Sequence, residues 1–304
     1  MRSGLWLSGV WGSLLLALGS GCGGAGGVVV PFTSVSAGTA SWCALTENAS
    51  IECWGLDQYA GVFGGVSATK VALGYKSGCA LLADASVLCW GGDTSTPEFG
   101  SGPYIDVSVN RGAACAIDEA GSFVYVSEYD DDTAIPPEGT FEQVSCGAAH
   151  GAALDSNGAI SQYDDLPLFP DAPTSAFASL EAGYWDHCGV TTDGAVECWG
   201  RSESDVPDDS EAETWPTAWA VPEMTGFTDV ATGFAQACGL DTSGGVTCWG
   251  SDDAAALDTP VGSFTDITGG SDFACGVNTD GAVQCWGGYE MTCTLYEEDG
   301  LVCE

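Results

Sequence analysis

Three features of the sequence predict an all-β fold, a ring of seven similar units that makes a β-propeller. Cysteines stand ten residues apart in six pairs: Cys43 and Cys53, Cys79 and Cys89, Cys188 and Cys198, Cys238 and Cys248, Cys275 and Cys285, and Cys293 and Cys303. Five of the six pairs end in Cys-Trp-Gly, and a unit of about 36 residues recurs seven times between residues 32 and 287. The chain holds 44 glycines in 304 residues and lacks the amphipathic pattern of helical solenoids. Units this small bury their faces only against one another, so they must stack or close, and their period is long for a coil of a β-helix.

The first 21 residues stand apart. Arg2 precedes an apolar run from Leu5 to Leu18, too short and glycine-broken for a membrane span. Leu18-Gly19-Ser20-Gly21-Cys22 follows and resembles a bacterial lipoprotein signal, with Gly19 departing from the usual leucine. Residues 1–21 are therefore expected to be a signal peptide, Cys22 a lipid attachment site, and residues 22–31 a glycine-rich tether. The cysteine count agrees. Fifteen is odd; removing Cys22 leaves the six pairs plus Cys115 and Cys146. So many paired cysteines point to an oxidising compartment. Forty-three acidic residues oppose only Arg2, Lys70, Lys76, Arg111 and Arg201, for a formal net charge of −38. Such a charge repels phosphate backbones, so nucleic acid is not an expected partner. It keeps an exported protein soluble, and an acidic face also recruits cations or a basic partner.

The clearest unit is Phe227 to Gly250, FTDVATGFAQACGLDTSGGVTCWG. Phe227 and Val230 mark a first strand, Gly233 a bend, Ala237 to Leu240 a second strand, and Val246 to Trp249 a third. Between the last two, Thr242-Ser243-Gly244-Gly245 supplies turn residues able to take positive φ; Asp193-Gly194 and Asp280-Gly281 are stronger hairpin signals. A three-residue turn centred on the aspartate sets cysteines ten apart directly opposite, within disulfide reach. Zinc is the competing use of cysteine, but the two-to-four-residue ligand spacing is absent and His150 and His187 stand alone in sequence. The bend positions are Gly38, Gly74, Asn110, Gly147, Gly183, Gly233 and Gly270, with steps of 36, 36, 37, 36, 50 and 37 residues. An insertion around Ser202 to Pro222 accounts for the long step.

The recurring V-x-x-G-x-x-x-x-C-x-L-x-x-x-G-x-V-x-C-W-G pattern resembles the repeat of the regulator of chromosome condensation family, which also occurs in a secreted bacterial β-lactamase inhibitory protein. The resemblance covers roughly residues 32–287 and implies a seven-bladed propeller. The family has histidine where Cys43, Cys79, Cys188, Cys238 and Cys275 stand, so the cysteine pairs look like an adaptation to export. Repeats three and four lack the pair, having Tyr125 in one and Ala152 and Gln162 in the other. A Cys115–Cys146 bond between neighbouring blades is expected there. Residues 288–304 form an extra hairpin, expected to be closed by Cys293 and Cys303, with no first strand before it.

No nucleophile elbow, phosphate loop or zinc-protease motif occurs, so neither catalysis nor a cofactor is expected. Asp130-Asp131-Asp132 and Glu297-Glu298-Asp299-Gly300 have the charge for calcium but lack alternating ligand spacing, and read as solvated turns. Trp54, Trp90, Trp199, Trp249 and Trp286 recur once per unit, as blade packing requires. In the insertion, Trp215 and Trp219 beside acidic residues suggest a recognition loop. The expectation is a non-catalytic propeller anchored in the bacterial cell envelope, at the outer membrane, whose loops on one face recognise a protein or glycan. Two alternatives remain: a secreted hydrolase or lyase using carboxylates at the ring's opening, and an inhibitor of a cell-wall enzyme. The nuclear exchange role known in the family is disfavoured by the signal segment and the acidity.

Overall fold

The computed structural model describes residues 31–55, 65–91, 98–110, 113–127, 136–147, 150–164, 171–184, 186–200, 221, 223–234, 236–250, 258–287, 293–296 and 300–303. Residues 1–30 with Cys22, the Trp215 and Trp219 loop, and the acidic runs 130–132 and 297–299 lie outside them.

Every regular element among the described residues is a β-strand. Blade 1 comprises β1 (Phe32–Ala37), β2 (Ser41–Thr46) and β3 (Ile51–Gly55); blade 2, β4 (Ala68–Leu73), β5 (Ser77–Leu82) and β6 (Val87–Gly91). Blade 3 has β7 (Tyr104–Asn110), β8 (Ala113–Asp118) and β9 (Phe123–Ser127); blade 4, β10 (Gln143–Cys146), β11 (His150–Leu154) and β12 (Ile160–Asp164). Blade 5 has β13 (Phe177–Ala182), β14 (Asp186–Thr191) and β15 (Val196–Gly200); blade 6, β16 (Phe227–Thr232), β17 (Gln236–Asp241) and β18 (Val246–Gly250). Blade 7 is β19 (Phe264–Gly269), β20 (Phe273–Asn278) and β21 (Val283–Gly287). Each blade is one three-stranded sheet in chain order, its neighbours antiparallel. A separate hairpin, β22 (Cys293–Tyr296) and β23 (Gly300–Cys303), pairs Cys293 with Cys303 in backbone register.

Middle strands are buried almost throughout because both of their faces meet another blade; β2 and β14 have no accessible residue. The third strand's tryptophan fills the seam behind it. Trp199 packs on Ala152 and Leu154 of blade 4, Trp249 on Cys188 and Val190 of blade 5, and Trp286 on Cys238 and Leu240 of blade 6. Each also meets the aromatic that opens its own blade, Phe177, Phe227 and Phe264 respectively. The repeated Trp-Gly is blade packing, as its once-per-unit recurrence suggested.

Hairpin tips explain how the blades join. In blade 5 the Gly194 N–H bonds Thr191 O at 2.8 Å and the Thr191 N–H bonds Ala195 O at 2.8 Å, a three-residue turn centred on Asp193. Its last residue has φ +84° and turns its carbonyl outward. That carbonyl accepts from Phe227 N, the start of blade 6, at 3.0 Å. The same bond recurs at each seam: Ala49 O to Ala68 N, Ala85 O to Tyr104 N, Gly121 O to Phe141 N, Gly158 O to Phe177 N, and Gly244 O to Phe264 N. Between blades 7 and 1, Phe32 N donates to Gly281 O at 2.9 Å, and β19 packs against β1. The ring closes on itself.

The turn register places the cysteines opposite each other, Cys188 on Cys198 and Cys238 on Cys248. Five disulfides join residues ten apart within blades 1, 2, 5, 6 and 7. Each constrains the unfolded chain by about 3 kcal/mol or less. A sixth joins Cys115 of β8 to Cys146 of β10, across the seam between blades 3 and 4.

Two tips carry alanine in the left-handed region, Ala49 at φ 60° and Ala85 at φ 66°. A side chain there costs about 1–2 kcal/mol, partly offset by glycine's looser unfolded chain. Ala49→Gly and Ala85→Gly are each expected to raise stability by about 0.5–1 kcal/mol in denaturant or thermal unfolding. Gly281→Ala is expected to lower it by more than 1 kcal/mol, since φ is +76° and the new Cβ would stand 2.4 Å from the Pro31 Cβ at the ring's closing seam. A non-reduced proteolytic digest should yield a Cys115–Cys146 cross-linked peptide; either thiol found free by mass spectrometry would remove that bond.

Candidate functional site at the channel mouth

All seven first strands line one central channel of about 280 Å³. Alternate side chains of each point toward the next blade, and the free inner edge of each first strand needs hydrogen-bond partners. Side chains of the preceding blade supply them. Ser36 Oγ accepts from Leu73 N at 2.9 Å, Ser108 Oγ from Cys146 N at 3.1 Å, Ser145 Oγ from Ala182 N at 2.7 Å, and Thr268 Oγ1 from Ala37 N at 3.1 Å. One level away, Asp106 Oδ2 accepts from Val144 N at 2.8 Å and Asp266 Oδ2 from Val35 N at 2.7 Å.

This level carries the charge. Lys70 is the one cation among the described residues lining the channel, and its Nζ lies 2.5 Å from Asp106 Oδ1. Lys70 keeps 40% of its side chain accessible to the channel although protein surrounds it. That enclosure works against its charge, but Asp106, joined by Glu181 and Asp229, outweighs it and the lysine pKa is raised. Glu181, Asp229 and Asp266 share the shaft without a cation of their own. Burial pushes Glu181 up to about 8; Lys70 opposes this, while Asp229, Asp106 and Asp266 add repulsion. Burial likewise raises Asp266 to about 7 and Asp229 to about 6, each against one backbone N–H and the pull of Lys70. The shaft is an acidic well that holds protons for want of cations.

At one end the seven bends crowd together. A Cβ on Gly38 would stand 2.3 Å from Gly74 O, and one on Gly233 2.4 Å from Gly270 O, which is why the column is glycine except for Asn110. Asn110 Nδ2 instead donates across the mouth to Gly183 O at 3.5 Å. Tyr75, Tyr184 and Phe234 form an aromatic rim on the same end. Tyr184 and Phe234 lie 5.0 Å apart between ring centroids, and Phe234 is exposed. Lys76 Nζ sits 5.0 Å over the Tyr75 ring.

Below the rim, at the seam of blades 4 and 5, the two histidines that stand alone in sequence meet. His150 Nδ1 and His187 Nε2 are 2.8 Å apart, and His150 Nε2 lies 3.2 Å from Tyr184 O. They come together because they occupy adjacent positions, first and second, of the middle strands in consecutive blades, 37 residues apart. Both are buried; burial and the neighbouring His150 drive His187 well below the ordinary imidazole range. His187 stacks on Trp199, whose indole N–H donates to Gln162 Oε1 at 3.0 Å. The pair ties blade 4 to blade 5 directly beneath Tyr184. Among the described residues no cluster of three or more His, Cys, Asp and Glu side chains is arranged to hold a metal ion.

No protein-family model and no curated protein matches the sequence. Solved structures do. The CRINKLY WD40 ectodomain of the Arabidopsis thaliana receptor kinase ACR4 matches with a TM-score of 0.68 at 19% identity, over 85% of this chain and 96% of that one. The ectodomain of the Physcomitrella patens receptor kinase CR4 gives 0.66 at 21%, over 88% and 76%. Human WBSCR16 gives 0.64 at 12%, over 83% and 88%. The likeness is one of fold, and it joins the seven sheets and their closing bond in making this chain a seven-bladed β-propeller with disulfide-locked hairpins.

Proposed function

We propose that this chain is a non-catalytic binding propeller, exported and held at the bacterial cell envelope by a lipid on Cys22, and that its channel mouth receives a basic side chain of a protein partner. The observation that carries the reading is the pairing of an aromatic rim, Tyr75, Tyr184 and Phe234, with a shaft whose carboxylates outnumber its single, already paired lysine. Aromatic faces and carboxylates together suit a lysine or arginine entering from solvent. Export is supported by the disulfides, which persist in oxidising compartments. A glycan would use the rim but leave the acidic shaft without a role.

A hydrolase or lyase is the second reading. It draws on Glu181, held protonated to about pH 8 beside carboxylates that ionise earlier.

The test is capture from the native envelope by the mature, oxidised chain, followed by affinity measurement with the captured protein. Tyr184→Ser with Phe234→Ser should weaken binding at least tenfold without changing the disulfide pattern. Affinity should fall with added salt and rise from pH 5.5 to 8 as Asp229 and Asp266 give up their protons. Binding indifferent to the rim variant, to salt and to pH sinks the proposal. A captured protein covalently altered by the wild type but left intact by Glu181→Gln would establish the second reading.

A further inference from the structure

The first residue of each middle strand lies over the glycine of its own bend, beside the channel mouth. In blade 4 this residue is His150, in blade 5 Asp186 and in blade 6 Gln236. A Cβ built on Gly147 would stand 2.1 Å from His150 Nε2, one on Gly183 2.1 Å from Asp186 Oδ1, and one on Gly233 2.3 Å from Gln236 Nε2. Two of these side chains use a nitrogen to hold the next blade. His150 Nε2 reaches Tyr184 O at 3.2 Å, and Gln236 Nε2 reaches Gly270 O at 3.2 Å and Phe273 O at 3.3 Å.

Asp186 stands in the same place between them but has no nitrogen. Its residue is 6% exposed, and both carboxyl oxygens are buried with no hydrogen-bond partner among the described residues. The space over Gly183 is shared with the next blade's carbonyl, since the same Cβ position lies 2.9 Å from Gly233 O. Acceptor thus faces acceptor where the neighbouring seams have donor and acceptor. A carboxyl group has one way to donate, through its own proton.

We propose that Asp186 keeps its proton in mildly acidic solution and that its O–H then bonds the Gly233 carbonyl, a proton-operated latch between blades 5 and 6. The strands packed against β14 offer no cation to hold a carboxylate. Their charged side chains are Glu181 on β13, Glu197 on β15 and Asp229 on β16; Glu197 accepts from Ser175 Oγ at 2.6 Å. His187 on the same strand and His150 on β11 bond each other, and His187 is kept neutral by burial. Burial accordingly lifts Asp186 to about 7. Arg201 follows Gly200, the cross-strand partner of Asp186, and lies outside the described residues. The latch sits between the bends that carry Tyr184 and Phe234, so losing its proton would loosen the spacing of that rim pair.

The sign of the linkage is fixed. A carboxyl raised above its ordinary value stabilises the fold fully below about pH 4, and that stabilisation is lost as pH rises through about 7. In the mature, oxidised chain labelled with ¹³C-aspartate, two carboxyl resonances should titrate near pH 7, those of Asp186 and Asp266, and one of the two should vanish in Asp186→Asn. Asparagine keeps a donor at every pH. The variant should therefore match the wild-type melting temperature at pH 5, exceed it at pH 9, and lose less between them. An Asp186 resonance titrating near 4, as an ion pair with Arg201 would produce, overturns the proposal. So does a variant destabilised equally at both pH values. If the variant does not fold, hydrogen exchange of the wild type decides. Phe227 N–H exchange should accelerate between pH 6 and 8 beyond its intrinsic pH dependence, and the absence of that rise is equally fatal.

Discussion

A β-strand on the inner edge of a blade has N–H groups that its own sheet cannot satisfy, and the fold is organised around where those groups go. Buried donors without acceptors cost about 1–3 kcal/mol each, so the first strands cannot simply face a channel bare. Each is met by the carbonyl of a left-handed turn residue in the blade before it, at distances of 2.8 to 3.0 Å. Because the acceptor belongs to one blade and the donor to the next, the interaction propagates around the molecule in one direction. It ends only when the last blade serves the first, as Gly281 does for Phe32. The hydroxyls and carboxylates of the channel wall answer the same demand deeper in the strand, which is why Ser36, Ser108, Ser145 and Thr268 recur at one position of the repeat.

Three-stranded blades are thin, and the disulfides compensate by fixing each hairpin whose tip must hold the next blade. Blades 3 and 4 show what replaces them. Tyr163 is buried between the two, with ring centroids 5.3 Å from Phe123 and 5.2 Å from Tyr125, both edge-on. Its hydroxyl lies 3.2 Å from Cys115 Sγ, so the aromatic packs around the Cys115–Cys146 disulfide that crosses this seam. Covalent constraint moves from inside a blade to between blades where Tyr125 takes the second cysteine's place.

What the sequence disclosed was whatever is local or periodic. The hairpins, the facing cysteines and the number of blades follow from ten-residue and 36-residue spacings. The strands run a residue or two beyond the apolar positions that announced them, as β16 does from Phe227 to Thr232, because the middle strand of the same blade continues the ladder, pairing Thr232 with Ala237. The site was hidden because its members come from different repeats. Lys70 and Asp106 are one period apart and occupy one column of the repeat alignment, with Asp229 and Asp266 in the same column. Reading the repeats as columns would have found the acidic shaft, and it would have set His150 beside His187. Reading along the chain shows two isolated histidines and a scatter of acids. The Trp215 and Trp219 loop, the segment singled out for recognition, has no counterpart in other repeats to align with.

The same columns show that the ring is symmetric in backbone and lopsided in chemistry. At the head of the middle strand, blades 1 to 3 carry Ser41, Ser77 and Ala113, and blade 7 carries Phe273, whereas blades 4 to 6 carry His150, Asp186 and Gln236. Glu181 and Asp229 come from blades 5 and 6, and so do Tyr184 and Phe234. Packing alone gives no reason for this bias, since blades 1 and 2 close comparable seams with small side chains and a disulfide each. Buried titratable groups disfavour folding unless something offsets them. The gathering of His150, His187, Asp186, Glu181 and Asp229 on blades 4 to 6 is therefore better explained by a task performed there than by the needs of the propeller, and it directs the search for a partner to blades 5 and 6.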